Sequence, residues 1–164
     1  SGDGDKMNPL EDHEHLAALF SNVTTSMLDM GCVIAPDIST DLTSDHCTAV
    51  IPIPGEGGFT MAVTSDMQGC MSLAAAMFAV ETTEVDAEMI SDTMAELANM
   101  TAGQLKGLLQ ITHSLGLPVT MATGDFCAKA QSQVWNHYPM RAGDAKVMLS
   151  IATQANTAEE YMRQ

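Results

Sequence analysis

The stretch Asp92-Thr-Met-Ala-Glu96-Leu-Ala-Asn99-Met-Thr-Ala-Gly103-Gln-Leu-Lys-Gly107 lies inside the longest helical pattern of the chain, from Asp86 to Thr112. An advance of about 100° per residue puts Asp92, Glu96, Asn99 and Gly103 within an arc of roughly 60°. Glu88, Lys106 and Gln110 lie near the same line, and the opposite side collects Ile90, Met94, Leu97, Ala98, Leu105, Leu108 and Leu109. One side is core and the other a polar stripe, so the helix lies on the surface of a packed domain. The stripe is flanked by small residues, Ala95, Ala102, Gly103 and Gly107. A glycine inside a helix costs about 1 kcal/mol relative to alanine. Either another surface approaches this face closely, or it is an ordinary solvated face.

Before this helix, Asn8-Pro9-Leu10-Glu11 has the pattern of a helix start, with Asn8 as cap, and Leu16, Leu19, Phe20, Val23, Met27 and Met30 follow at helical spacing until Gly31 closes the helix. Cys32–Ala35 and Cys47–Pro54 read as strands. Gly55-Glu56-Gly57-Gly58 is a turn, and Phe59–Thr64 completes a hairpin. Asp66–Val80 is a helix rich in Met and Ala, and Glu81–Asp86 is an acidic break. After the long helix, Leu117–Ala122, Gln131–Tyr138 and Ala145–Thr153 form a second group of strands. Strands in runs, rather than strict β-α-β alternation, predict an α+β fold with a mostly antiparallel sheet against long helices. The order suggests two helix-plus-three-strand halves, although no residue-level repeat is visible. Residues 1–9 read as a flexible leader, 10–155 as one domain and 156–164 as a tail.

Composition narrows the function. The 164 residues are 46% hydrophobic and 16% charged, which is the composition of a globular domain. Twenty-one acidic residues face six basic ones, a net charge of −15, and no Lys or Arg occurs between Lys6 and Lys106. A surface with so few cations does not neutralise phosphates, so nucleic acid is excluded as a partner and an anionic membrane disfavoured. Met67–Val80 is too short to span a bilayer, Gly107–Gly124 is broken by His113, Gly116 and Pro118, and no signal peptide is visible. The expected location is the cytoplasm.

Other motifs are weak. Cys32, Cys47, Cys70 and Cys127 form no C-x-x-C pair and read as free thiols. The glycines at 55–58 fit neither G-x-G-x-x-G nor a P-loop. His13-Glu14-His15 has residues two apart, which point in different directions on a helix, so no metal site is expected there. His46, His113 and His137 show no Ser or Cys partner spacing, and no G-x-S-x-G is present. Trp135 and Tyr138, beside Pro139, read as strand packing or an interface.

Asp92-x3-Glu96-x2-Asn99 followed by Met-Thr-Ala-Gly103 resembles the signature helix of the CheC/CheX/FliY phosphatases of bacterial chemotaxis. Met-Leu-Asp-Met-Gly31, the strand and turn from Thr48 to Gly58, the passage through Thr64-Ser65 and Leu117-Pro118-Val119 extend the likeness over roughly residues 10–155. The first helix, Glu14–Asn22, lacks a second E-x-x-N, so the resemblance is to the single-site CheX type. Gln104 and Pro118 depart from the family pattern.

The resemblance implies a CheC-like fold and a phosphatase acting on the aspartyl phosphate of a CheY-type response regulator. Glu96 and Asn99 would be catalytic, with Asp92 and Gly103 in support. It implies no cofactor or metal of the protein's own, Mg2+ on the regulator substrate, and a homodimer. Two other functions stand beside it. One is a non-catalytic module that docks a regulator or flagellar-switch component, and the other is an acidic interaction domain unrelated to signalling.

Overall fold

The computed structural model describes residues 8–41, 46–130 and 133–153, with the backbone alone for His46. The leader, apart from Asn8 and Pro9, and the tail 156–164 lie outside the described residues. The elements in chain order are α1 (His13–Leu28), β1 (Cys32–Ile34), β2 (His46–Ile53), β3 (Phe59–Asp66), α2 (Met67–Phe78), α3 (Ala87–Leu108), β4 (Val119–Ala122), α4 (Thr123–Ala130), β5 (Asn136–Ala142) and β6 (Ala145–Ala152). The six strands form one sheet in the order β1-β5-β6-β3-β2-β4, every neighbouring pair antiparallel.

That order carries the duplication that no residue repeat reveals. Exchanging β1 with β4, β2 with β5 and β3 with β6 returns the same order read backwards. The chain is thus two α-β-β-β halves, led by α1 and α3, which meet at the central β3–β6 pair. Helix α2 links them, and α4 is an insertion in the second half.

Three helices cover one face of the sheet. Leu16, Phe20 and Val23 of α1, Leu73 of α2 and Met94, Leu97 and Leu105 of α3 bury against Ile51, Met61, Met140 and Leu149. Short α4 sits on the opposite face, where Phe126 and Ala130 pack on Val50 and Ala62 and the Trp135 ring meets Phe126 edge-on. On that second face Thr48, Thr64 and Thr123 share buried hydroxyl hydrogen bonds of 2.9 and 2.8 Å. Each hydroxyl finds its partner in another, so the polar groups are buried without being orphaned.

Several local boundaries differ from the sequence-based expectation. Asn8 caps a turn, accepting a hydrogen bond from the Leu10 N–H, and α1 begins only after Asp12, whose carboxylate takes the His15 N–H. The end of α1 is Asp29 in the left-handed conformation, not Gly31. Helix α4 was not expected, because eight residues with two apolar anchors show no readable periodicity. Strand β5 runs through Pro139 instead of stopping before it. The Pro139 carbonyl accepts the Ala35 N–H, but its nitrogen has no hydrogen to return, so the β1–β5 ladder stops at Ile34 while pairing with β6 continues. Leu108, read as core, is 45% exposed at the end of α3.

Thr48→Val keeps the volume at the centre of the hydroxyl network but strands Thr64 and Thr123. Unfolding in urea is expected to show a loss of about 1–3 kcal/mol.

Candidate functional site

Helix α3 starts at Asp86, whose carboxylate caps the Met89 N–H at 2.8 Å. Its rotation is set by burial: Ile90, Met94, Leu97, Ala98, Ala102 and Leu105 face the sheet and the other helices. Thr93 and Thr101 are buried too, and each hydroxyl is satisfied by the carbonyl one turn back, Met89 and Leu97, at 2.7 Å. With those positions turned inward, the polar stripe is turned outward. Asp92 is exposed, and Glu96, Asn99 and Gly103 are half-buried. Three and four residues apart on a helix, their side chains are neighbours about 5–6 Å apart at Cβ. Glu96 and Asn99 make no side-chain hydrogen bond or ion pair among the described residues, which leaves both free to bind something else.

The stripe is bordered by the segment that returns from α3 to the sheet. Ser91 hydrogen-bonds Thr120, tying the first half of α3 to β4. Leu115 packs partly into the core beside Gly103, and the Gly116 N–H reaches the Pro52 carbonyl at 2.9 Å. These restraints were not legible in the sequence, because the partners are up to 64 positions apart and carry no motif. The segment after β1 is described as far as Asp41. That part lies elsewhere, lining a cleft with Arg141 and Lys146 of β5 and β6, where Asp37 accepts a 3.3 Å hydrogen bond from Arg141. The Arg141 guanidinium holds the Asp37 carboxyl below the usual carboxylate range.

The two glycines of the stripe are not required by packing within the chain. A Cβ at Gly103 would meet only Leu115, at an ordinary 3.9 Å, and one at Gly107 would meet nothing within 4 Å. Close approach of another described part of the chain is therefore not why they are small.

The other candidate residues separate clearly. His13 lies against Tyr138 and contacts the Pro139 carbonyl at 3.1 Å. No group of three or more His, Cys, Asp or Glu suited to a metal occurs among the described residues. His137, expected to lack a Ser or Cys partner, contacts Ser150 at 2.7 Å, its direct neighbour across β5 and β6. Burial lowers the His137 pKa, and Ser150 is wholly buried, so that hydroxyl is closed to a substrate. Tyr138 is buried and donates to the Leu10 carbonyl at 3.0 Å, which is a packing role. The side chain of His46 lies outside the described residues.

The mixed fold of helices on a six-stranded antiparallel sheet matches that of CheX structures. The chain belongs to the CheX family: the family model described as chemotaxis phosphatase CheX matches residues 47–137, more than half of its length. Among solved structures it is similar to chemotaxis protein CheX from Vibrio vulnificus, at 15% identity and TM-score 0.65, over 89% of this chain and 99% of that one. It is also similar to a chain of the CheX–CheY–BeF3–Mg2+ complex from Borrelia burgdorferi, at 16% identity and TM-score 0.64, over 84% of this chain and 94% of that one. The FliM middle domain from H. pylori shares the fold at 10% identity and TM-score 0.56, over 92% of each chain. At these identities the likeness is one of fold. A comparison with curated proteins finds no match. No helix among the described residues is long and apolar enough to cross a membrane.

Because nothing among the described residues crowds position 107, Gly107→Ala is expected to raise stability by about 0.5–1 kcal/mol through helix propensity alone. A shift of the urea midpoint to higher concentration, with an unchanged slope, is the measurement.

Proposed function

We propose that the protein hydrolyses the aspartyl phosphate of a CheY-type response regulator, with Glu96 and Asn99 as its working residues. The observation that carries this reading is the pair itself: two polar side chains one turn apart on α3, outward-facing and without partners among the described residues. Membership of a family named for chemotaxis phosphatases supports the same reading.

The chemistry asks little of the protein. An aspartyl phosphate is an activated acyl phosphate, and the regulator's own Mg2+ balances its charge. What is missing is a water held in line with the breaking P–O bond, and this is catalysis by positioning. A carboxamide suits the task. The Asn99 side-chain oxygen accepts a hydrogen bond from the water while its NH2 donates to the phosphoryl group, and neither role depends on a proton of its own. Glu96 pairs with a lysine at the regulator's active site and sets the register in which Asn99 enters. Asp92, one turn earlier and exposed, adds negative charge that steers a cationic rim towards the stripe. Gly103 and Gly107 keep the helix surface low, so that another protein's loops approach without obstruction.

The alternative is docking without hydrolysis, on a fold that FliM middle domains share. The uncommitted Glu96 and Asn99 favour the enzyme, because docking alone does not require an unpaired carboxamide. The reading places the protein in the cytoplasm, with one site per chain in a homodimer. Strand β4 ends the sheet, with no strand partner on its outer edge among the described residues, which suits pairing between copies. Sedimentation equilibrium at micromolar concentration is expected to return twice the chain mass, and a monomer would remove that part.

Regulators phosphorylated with acetyl phosphate provide the assay. Asn99→Ala is expected to lower the rate of phosphate release by about a hundredfold or more while leaving regulator binding intact. Glu96→Ala is expected to weaken both. Wild-type rates in Asn99→Ala would overturn the assignment, and retained binding with no hydrolysis by the native protein would favour the docking module.

A further inference from the structure

We propose that Cys47 and Cys70 form a peroxide-reactive dithiol, in which Cys47 is the attacking sulfur and Cys70 the resolving one. The two residues are 23 positions apart, yet the fold brings both beside Ser65. Cys47 stands directly across the β2–β3 ladder from Ser65. Helix α2 starts immediately after β3, and Cys70 in its opening turns hydrogen-bonds the Ser65 carbonyl through sulfur at 3.4 Å. The two thiols are also close enough for each to perturb the ionisation of the other. Both thiols therefore sit where β3 runs into α2, against the same stretch of backbone.

Access is unequal, as an attacking and a resolving cysteine require. Cys70 is wholly buried, whereas Cys47 is half-buried and lines an open groove of about 840 Å³ between α2, α3 and β4. Met67, Met71 and Met121 share the wall. The neighbouring Cys70 thiol holds the Cys47 thiol below its ordinary range, while the same proximity and burial push Cys70 up. The thiolate is the nucleophile, so reactivity falls to Cys47. Burial pushes Cys32 up to about 12 and also raises Cys127, which sets those two thiols apart.

In the first step the Cys47 thiolate attacks one oxygen of hydrogen peroxide. An S–O bond forms, the O–O bond breaks, and the departing hydroxide is protonated to water. In the second step the Cys70 sulfur attacks the Cys47 sulfenic acid. The S–S bond forms, the S–O bond breaks, and the leaving hydroxide takes the Cys70 proton as a second water. Two thiols have lost two electrons and peroxide has gained them. The product staples the start of α2 to β2 and opens again with a thiol reductant.

The test treats the full folded chain with equimolar hydrogen peroxide, then denatures it, alkylates the remaining thiols and maps the peptides. Two of the four cysteines are expected to escape alkylation as one intramolecular Cys47–Cys70 link, and dithiothreitol is expected to restore all four. In Cys70→Ser, Cys47 is expected to stop as a sulfenic acid trapped by dimedone. Survival of all four thiols would overturn the proposal. So would a bridge involving Cys32 or Cys127, a link between two copies, or methionine sulfoxide formed ahead of the disulfide. The map of the native chain decides the matter even where a variant fails to fold.

Discussion

The apolar side of α3 fits the sheet in one rotation, and the rest of the site follows from that. Met94, Leu97, Ala98 and Leu105 are each wholly buried. Turning the helix by a quarter would expose several of them and bury Glu96, a carboxylate with no counter-charge in its own chain among the described residues. Burying an unpaired charge costs far more than exposing one leucine. Hydrophobic burial on one side therefore orients the polar pair on the other, and no hydrogen bond to Glu96 or Asn99 is needed to hold the helix face.

The duplicated sheet supplies a rigid base for that helix. The central strands β3 and β6 are buried along nearly their whole length, because helices cover one face and α4 with the threonine network covers part of the other. The two halves are equivalent in strand order but not in chemistry. Helix α1 occupies the place in the first half that α3 occupies in the second. It presents Glu14, His15, Ala18 and Asn22 outward, with no carboxylate three residues before an amide. Of the two leading helices, α3 alone carries a carboxylate three residues before an outward-facing amide. Fold by itself does not fix function, since FliM middle domains share this one.

The acidic surface and the uncharged groove beside it serve different chemistry. Glu81, Glu84, Glu88 and Asp92 are exposed on and just before α3, a run of negative charge with no cation until Lys106. Such a face favours a partner with a cationic rim and repels nucleic acid and anionic lipid. The groove between α2, α3 and β4 is mostly apolar and sulfur-lined, with Cys47 at its wall. The two regions meet at Ser91, which lines the groove, and Asp92, which begins the polar stripe.

Much of this was legible in the sequence. The 3.6-residue periodicity of α3 is strong, so the arc shared by Asp92, Glu96, Asn99 and Gly103 could be drawn without coordinates, as could the α+β class from the order of strand and helix patterns. The reason is that hydrophobic burial leaves a periodic trace in any segment of several turns. Short or long-range features leave none. The eight residues of α4 are too few to show a period, the passage of β5 through Pro139 depends on where β1 happens to end, and the palindromic strand order exists only once all six strands pair. Likewise Ser91 with Thr120, His137 with Ser150 and Cys47 with Cys70 are neighbours only because the chain folds back on itself. The sequence by itself determined which residues of α3 share a face. Tertiary structure alone decided which face is open and what stands beside it, because contacts between distant residues are set by packing and not by spacing.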